Sequence, residues 1–304
     1  MLGSLEPSGY NRVNAVDFLE DLGGMGAGYA SALGGRLVSC LANQDDPTSR
    51  AVTGALSKAG IIHDPIFTGT PRADWTLLIT SGPFGDKMPI GFRGCHAALQ
   101  AQQLPPIARL GDGRNATLLV VAGLGNAIAR EVFASWTCAA SSSHSTGNSV
   151  FRFFAPSRRN AVDRELPIAT FAEFIDAVSC NQDEWGCMAP ADRDALQSRA
   201  RLLIITDGPR GAFVSFRAEA TGLWRRIHVP AFPRARPPVD TNRAGEAFAS
   251  EFLRSALKCD GDRIAVDEAC IPLASRRAAA AASLVLDRHM FGFATQHEID
   301  AALH

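Results

Sequence analysis

A chain of 304 residues, 46% hydrophobic and 20% charged, has enough apolar material for one large domain or two small ones. Its formal net charge of −1 offers no electrostatic footprint for nucleic acid or an anionic membrane. No apolar run approaches the ~20 residues that cross a bilayer, and the start of the chain lacks the basic and apolar regions of a leader. The seven cysteines include no C-x-x-C pair and read as reduced thiols, so the expected location is cytoplasmic. Arginine pairs such as Arg158-Arg159 are interrupted by acids and read as solvated surface.

Residues 1–24 contain no continuous apolar strand, and "DLGGMGAGYASALGG" then forms a glycine cluster entering a helix of small residues. Those glycines serve either close helix packing or the approach of a backbone to a ligand. A strand is expected at 36–42 and a helix at 47–59, closed by Gly60. The stretch 67–94 holds strand-like runs separated by Gly, Pro and Asp-Lys turn signals with no helix between them, which predicts antiparallel hairpins. Such an appendage is either a lid over a site or a decorated sheet edge.

Strands follow at 117–122 and 201–206, with a less regular one in "FRFFAP". Helices are expected at 126–136, 170–178 and 190–199, the last with Pro190 at its first position, where a missing N–H costs nothing. The serine-rich 138–149 reads as a loop. An alanine-rich helix is expected to run to Gly292, and Thr295 with Glu298 stands at capping-box spacing before the last helix. Buried strands alternating with helices predict α/β architecture with a mainly parallel sheet.

The usual phosphate-loop, zinc-protease and serine-hydrolase signatures are absent. "GLGNAI" has Ile128 where a dinucleotide site needs a small residue, so a Rossmann reading is weak. Asn181 and Glu184, three apart after a strand, suit either a water-shelled Mg²⁺ or an ordinary helix cap. The stretch 237–257 runs from prolines through Asp-Thr-Asn into a helix with Phe248, Phe252 and Ala256 on one face. Its free N-terminal amides form an anion cradle, Gly245 lets a phosphate approach, and Glu246 stands in the first turn. A carboxylate beside an anion cradle is what phosphoryl transfer to a hydroxyl requires; a capping acid on a core helix is the plainer alternative.

Taken in order, these pieces resemble the ribokinase/PfkB family of carbohydrate and nucleoside kinases, from about residue 23 to the C-terminus. The match comprises Gly23-Gly24, the strand-rich insert, "CNQDE" against N-x-x-E, "TDGPRGAFV" against T-x-G-x-x-G and "DTNRAGEAF" against D-T-x-G-A-G-D-x-F. The resemblance implies a three-layer ribokinase-like α/β fold with a mainly parallel central sheet. It implies one domain over 1–304 with a small β-strand lid at about 66–94, and part of 10–22 as a further candidate for the lid. It implies ATP and Mg²⁺ as cofactors, K⁺ as a further candidate, a small-molecule acceptor and a homodimer formed through the lid.

Carried over position by position, the resemblance makes Glu246 the base that accepts the substrate hydroxyl proton. Arg243, Ala244 and Gly245 take the anion hole, Asn181 and Glu184 the organisation of Mg²⁺ and phosphate, and Thr206, Gly208 and Gly211 the approach to the nucleotide. Gly23, Gly24 and Gly28 take the acceptor side, while Asp240 and Thr241 stand near a monovalent-cation position.

Three departures mark this chain. Glu246 replaces an aspartate and reaches one methylene further. Arg243 replaces a glycine and either fills the phosphate site or lends it a guanidinium. The acceptor end is altered: Gly28 replaces an asparagine, the expected first strand is missing, and Asp17 and Asp21 lie too near Gly23 to serve as its substrate aspartate. A missing first strand is expected to leave a gap in the sheet or in the acceptor pocket. Two readings follow, an active kinase of a sugar-like or nucleoside-like hydroxyl, or a catalytically impaired relative acting as a ligand-binding or scaffold protein.

Overall fold

The computed structural model describes residues 20–81, 86–105, 116–142, 149–260 and 263–304. In chain order its elements begin with α1 (Met25–Leu33), β1 (Arg36–Leu41), α2 (Pro47–Lys58), β2 (Ile62–Phe67), β3 (Trp75–Ser81), β4 (Asp86–Phe92) and α3 (Cys95–Ala98). There follow β5 (Ala116–Ala122), α4 (Asn126–Ser142), β6 (Ser149–Ala155), α5 (Arg158–Val162), β7 (Ala177–Asn181), α6 (Gln182–Cys187), α7 (Pro190–Arg199) and β8 (Leu202–Thr206). The last part holds β9 (Ala212–Arg217), β10 (Trp224–Val229), α8 (Ala244–Ala256), β11 (Leu257–Asp260), β12 (Arg263–Val266), α9 (Ile271–Val285) and α10 (Gln296–Leu303).

The central sheet has six strands in the order β10-β9-β8-β7-β6-β5. Strands β5 to β8 are parallel, and β9 and β10 add an antiparallel edge. Parallel strands are covered on both faces, which explains their continuous apolar runs. Adjacent residues separate the two faces: Phe153 packs with Tyr29, Phe248 and Phe252 in one core, and Phe154 with Phe133 and Phe171 in the other. The first core is closed by α1, α8 and α9, the second by α4, α7 and the turns before β7, giving three layers. Strands β1 and β2 form a separate parallel pair around α2. Among the described residues no strand joins that pair to β5, and α1 packs against both β1 and β5. Residues 1–19, in which no first strand is expected and where Asp17 and most of 10–22 fall, lie outside the described residues.

The antiparallel hairpin is present as β3 paired with β4. Elsewhere three expectations change. The helix expected at 170–178 is instead two 3₁₀ turns, Ile168–Thr170 and Ala172–Phe174, followed by β7. Phe171 and Ile175 have helical spacing and are both buried, but the backbone of 177–181 is taken by the ladder between β6 and β8. Second, α4 continues to Ser142, through the first part of the stretch expected to be a loop. Third, α9 ends at Val285, well before Gly292, because the Leu286 carbonyl accepts the Val239 and Asp240 N–H groups at 2.8 and 3.3 Å.

One buried ion cluster ties α8 to the C-terminal helices. Glu251, 4% exposed, accepts Arg277 Nε at 2.7 Å, Gln296 Nε2 at 2.7 Å and Ser255 Oγ at 3.0 Å. Arg277 also pairs with Asp300 on α10. Truncating one member of such a cluster leaves the others buried and uncompensated, so Glu251→Ala is expected to cost about 3–5 kcal/mol in urea unfolding. A loss below about 1 kcal/mol would rank the cluster with surface bridges.

Candidate active site

The sheet brings the separated motifs to one edge. Asn181 ends β7, Thr206 ends β8, and the two residues are partners in the ladder. Both lie at the carboxyl ends of parallel strands, where open α/β sheets bind ligands. The start of α8 comes to the same edge, since a Cβ built on Gly245 would stand 4.0 Å from Thr206 Oγ1 and meet nothing closer. Arg243 is the N-cap of α8, in the left-handed region at φ 68° and ψ −3°, and makes no side-chain cap. It is the only non-glycine residue with positive φ among those described. With no side chain capping it, the first turn of α8 presents its amides and the positive end of the helix dipole to the crevice.

Two carboxylates from distant parts of the chain, Glu246 and Glu184, lie at this edge, near enough for the charge of one to act on the other. Burial pushes the Glu246 carboxyl above the usual range, opposed by its own backbone N–H and the Arg243 charge. Burial also raises Glu184; the Asn181 N–H opposes this, the Glu246 charge adds to it, and the Arg158 backbone N–H opposes it. Burial, together with the nearby charges of Glu246 and Glu184, pushes the hydroxyl of Tyr29 on α1 well above its usual range. The Glu246 charge thus acts on Glu184 at this sheet edge, and carboxylates perturbed in this way cluster at functional sites.

The helix-cap alternative for Asn181 and Glu184 is realised in full: Asn181 Oδ1 accepts the Glu184 N–H at 2.8 Å, and Glu184 Oε2 accepts the Asn181 N–H at 2.9 Å. These bonds fix the Glu184 carboxylate at the crevice. Gly208 and Gly211 bound the turn after β8, with φ of 54° and 94°, and Asp207 N–H closes it on the Gly211 carbonyl at 2.7 Å. A Cβ on Gly23 or Gly24 would meet nothing within 4 Å, and Gly24 caps α1 at φ 91°. Gly28 has a specific neighbour: a Cβ there would lie 3.5 Å from Glu246 Cγ and 3.4 Å from the Phe293 ring. The small residue on α1 faces the long side chain of Glu246 on α8.

Arg243 is turned toward acidic partners. Its Nη1 lies 3.1 Å from Asp21 Oδ2, its Nη2 lies 3.2 Å from Asp240 Oδ2, and its guanidinium stands over Phe291 at 5.9 Å. The side chain is 11% exposed. Asp240 Oδ1 also accepts the Asn242 N–H at 2.9 Å, whereas Thr241 is exposed. Sequence reasoning missed the Asp21–Arg243 pair, the position of Tyr29 and the contact between Gly28 and Glu246. The first joins residues 222 positions apart, a separation at which spacing carries no signal.

A family model described as pfkB family carbohydrate kinase matches residues 8–296. Among curated proteins none matches significantly. Ribokinase from Giardia lamblia superposes with a TM-score of 0.74 at 16% identity, covering 98% of this chain and 93% of its own. Ribokinase from Arabidopsis thaliana, solved with ribose and ATP, gives 0.69 at 17% identity, covering 96% and 90%. Fructokinase from Vibrio cholerae O395, solved with fructose, ADP and calcium ion, gives 0.65 at 21% identity, covering 96% and 94%. At these identities the likeness to solved structures is one of fold: a ribokinase-like α/β architecture.

Proposed function

Because the chain belongs to the pfkB family of carbohydrate kinases, we propose that it transfers the γ-phosphoryl group of ATP to a hydroxyl of a sugar-like or nucleoside-like small molecule. The observation that carries this reading is that the uncapped start of α8, with Glu246 in its first turn, lies against Thr206 at the strand ends where Asn181 and Glu184 begin α6. In the reaction Glu246 takes the acceptor hydroxyl proton, the freed oxygen bonds to the γ-phosphorus, and the bond to the ADP oxygen breaks. The N–H groups of Ala244 and Gly245, at a fixed helix start, face the charge that spreads over the transferring group. Thr206, Gly208 and Gly211 shape the nucleotide side; Gly23, Gly24 and Gly28 leave room for the acceptor. ATP turnover dependent on an acceptor, drawn from a panel of sugars and nucleosides, tests the reading; no turnover with any of them would count against it.

Mg²⁺ fits the residues present. Among the described residues no cluster of three or more candidate ligands could cage a metal, and a water-shelled Mg²⁺ on substrate phosphates needs only one or two protein carboxylates. Glu184, held in place by Asn181, would be that carboxylate, with Asn181 beside it. When bound, the ion neutralises phosphate charge. K⁺ does not fit. The Asp240 carboxylate that would meet it already pairs with the Arg243 guanidinium, so an internal cation stands where the ion's charge would lie.

Arg243 is therefore a positioning residue that joins the segment before Gly23 to the segment before α8. Arg243→Gly should relieve about 1 kcal/mol of left-handed backbone strain but lose partly buried pairs to two carboxylates worth more than surface bridges. The expected net loss is on the order of 1–2 kcal/mol, with wild-type melting equal in KCl and NaCl. A variant melting above wild type would show that the latch does not stabilise the fold.

The alternative, a catalytically impaired ligand-binding or scaffold protein, rests on the altered Arg243 and Glu246. Calorimetric titration separates the two: tight Mg²⁺-dependent ATP binding favours the kinase. The β3–β4 hairpin is read as the lid of a single domain spanning 1–304, and as a homodimer surface. Trp75, stacked on Phe92 at 6.0 Å, is exposed together with Leu77, Leu78 and Ile90. A monomer in sedimentation equilibrium at high concentration would exclude the dimer. The expected location is the cytoplasm, where ATP is available; no helix among the described residues is long and apolar enough to cross a membrane.

A further inference from the structure

The Arg158-Arg159 pair, a solvated surface in the sequence reading, opens α5 just after β6, beside the candidate site. Helix α5, which carries both arginines, packs against α6, which carries Glu184, and Arg159 reaches back to the Gly123 carbonyl just past the end of β5. Arg159 Nη2 donates to His96 Nε2 at 2.7 Å and lies 3.4 Å from the Gly123 carbonyl oxygen. Gly125 leaves it room, since a Cβ there would stand 3.4 Å from Nη2.

Burial and the two guanidinium groups of Arg159 and Arg93 hold the His96 imidazole below its usual range, so it accepts the Arg159 proton as a neutral ring. Burial and the Arg93 charge likewise lower Arg159. Their nearby acids are committed elsewhere. Asp74 lies 3.6 Å from Arg93 and accepts the Gly94 and His96 N–H groups at 2.7 and 3.2 Å. Asp163 accepts the Glu165 and Leu166 N–H groups at 3.0 and 3.1 Å. Among the described residues no carboxylate pairs with Arg159, whose exposed fork is backed by a second guanidinium and an imidazole.

An unmatched guanidinium fork of this kind suits a planar or tetrahedral oxyanion. Its place, between the foot of the β3–β4 hairpin and the strand ends that lead to Glu184, is on the acceptor side of the proposed kinase. We propose that Arg159, with Arg93 and His96, binds a carboxylate or phosphate carried by the acceptor, so that the acceptor is a sugar acid or sugar phosphate. This rests on the kinase reading for the word acceptor, but the anion site itself does not.

The test is calorimetric titration of the full chain with D-gluconate and D-ribose 5-phosphate, each against its neutral parent, D-glucose or D-ribose. The expected result is binding of an anionic probe at least about tenfold tighter than its parent; which probe binds distinguishes carboxylate from phosphate. Arg159→Met should weaken that binding by about ten- to a hundredfold while ATP binding is unchanged. Arg93→Met, altering a more exposed side chain, should weaken it several-fold and serves if the first variant misfolds. Equal binding of parent and anion, wild-type binding by both variants, or no binding of either anion at millimolar concentration would overturn the proposal. Turnover assays are read separately. Anion binding through Arg159 without ATP consumption would sink the kinase reading alone, and phosphorylation of neutral sugars indifferent to Arg159 would sink this inference alone.

Discussion

Glu246→Gln is expected to lower kcat by a factor of about 10²–10⁴ while leaving Mg²⁺–ATP affinity within a few-fold of wild type, because it removes the proton acceptor and keeps the shape. The measurement is single-turnover phosphoryl transfer beside ATP calorimetry, and retention of wild-type turnover would remove Glu246 from the chemistry. A base must be ionised to act, and burial raises the Glu246 pKa. The acid limb of the kcat/KM profile should therefore lie above the ~4.3 of an ordinary glutamate, with activity falling as pH drops through it. The same shift means that the folded state favours the protonated carboxyl. Ionised Glu246 thus costs stability once pH rises above its unfolded pKa, and Glu246→Gln should melt slightly above wild type at neutral pH. Glu246→Asp withdraws the carboxylate by about 1 Å from a position that Gly28 leaves open. A hundredfold loss, roughly, is expected from such a displacement.

Gly211→Ala should produce the largest loss of stability of any single methyl addition near the site. A Cβ on Gly211 would stand inside contact distance of the Val229 carbonyl oxygen, 2.7 Å from Ala231 N and 2.8 Å from the Pro230 carbonyl carbon. All of these are backbone atoms, so the end of β10 would have to move away from β9. The residue also adopts φ 94° and ψ −132°, a conformation that side chains resist. Together these predict a loss above about 4 kcal/mol, seen as a lowered urea midpoint or failure to accumulate as folded protein. Melting within a few degrees of wild type would show that the turn tolerates a side chain. The nucleotide side of the proposed site thus depends on this glycine for its position, whatever the chemistry does.

Much of the fold was legible because strands β5, β6 and β8, and helices α2, α7, α8 and α10, each have a local signature in apolar run, proline or cap. The segment 170–178 was not legible. Phe171 and Ile175 have the spacing of a helix face, and only the open place between β6 and β8 draws the following residues into a strand. The end of α9 shows the same thing: its alanine-rich run favours a longer helix by propensity, and a remote pair of N–H groups takes the carbonyl of Leu286, the residue that closes it.

At the candidate site the amino-acid order by itself determined the sequence of motifs and therefore which residues are carried to the strand ends: Asn181, Glu184, Thr206, Gly245 and Glu246. It posed the question of Arg243 without answering it, because a side chain's direction depends on what charge lies within its reach. Only the tertiary structure supplies Asp21 and Asp240 as the partners of that guanidinium, Gly28 as the space beside the Glu246 side chain, and His96 with Arg93 as the surroundings of Arg159. Local pattern governs backbone conformation over a turn or a strand. Charge pairing, burial and steric fit act over ångströms between segments as far apart in the chain as the 222 positions from Asp21 to Arg243, and they exist only once the sheet has brought those segments together.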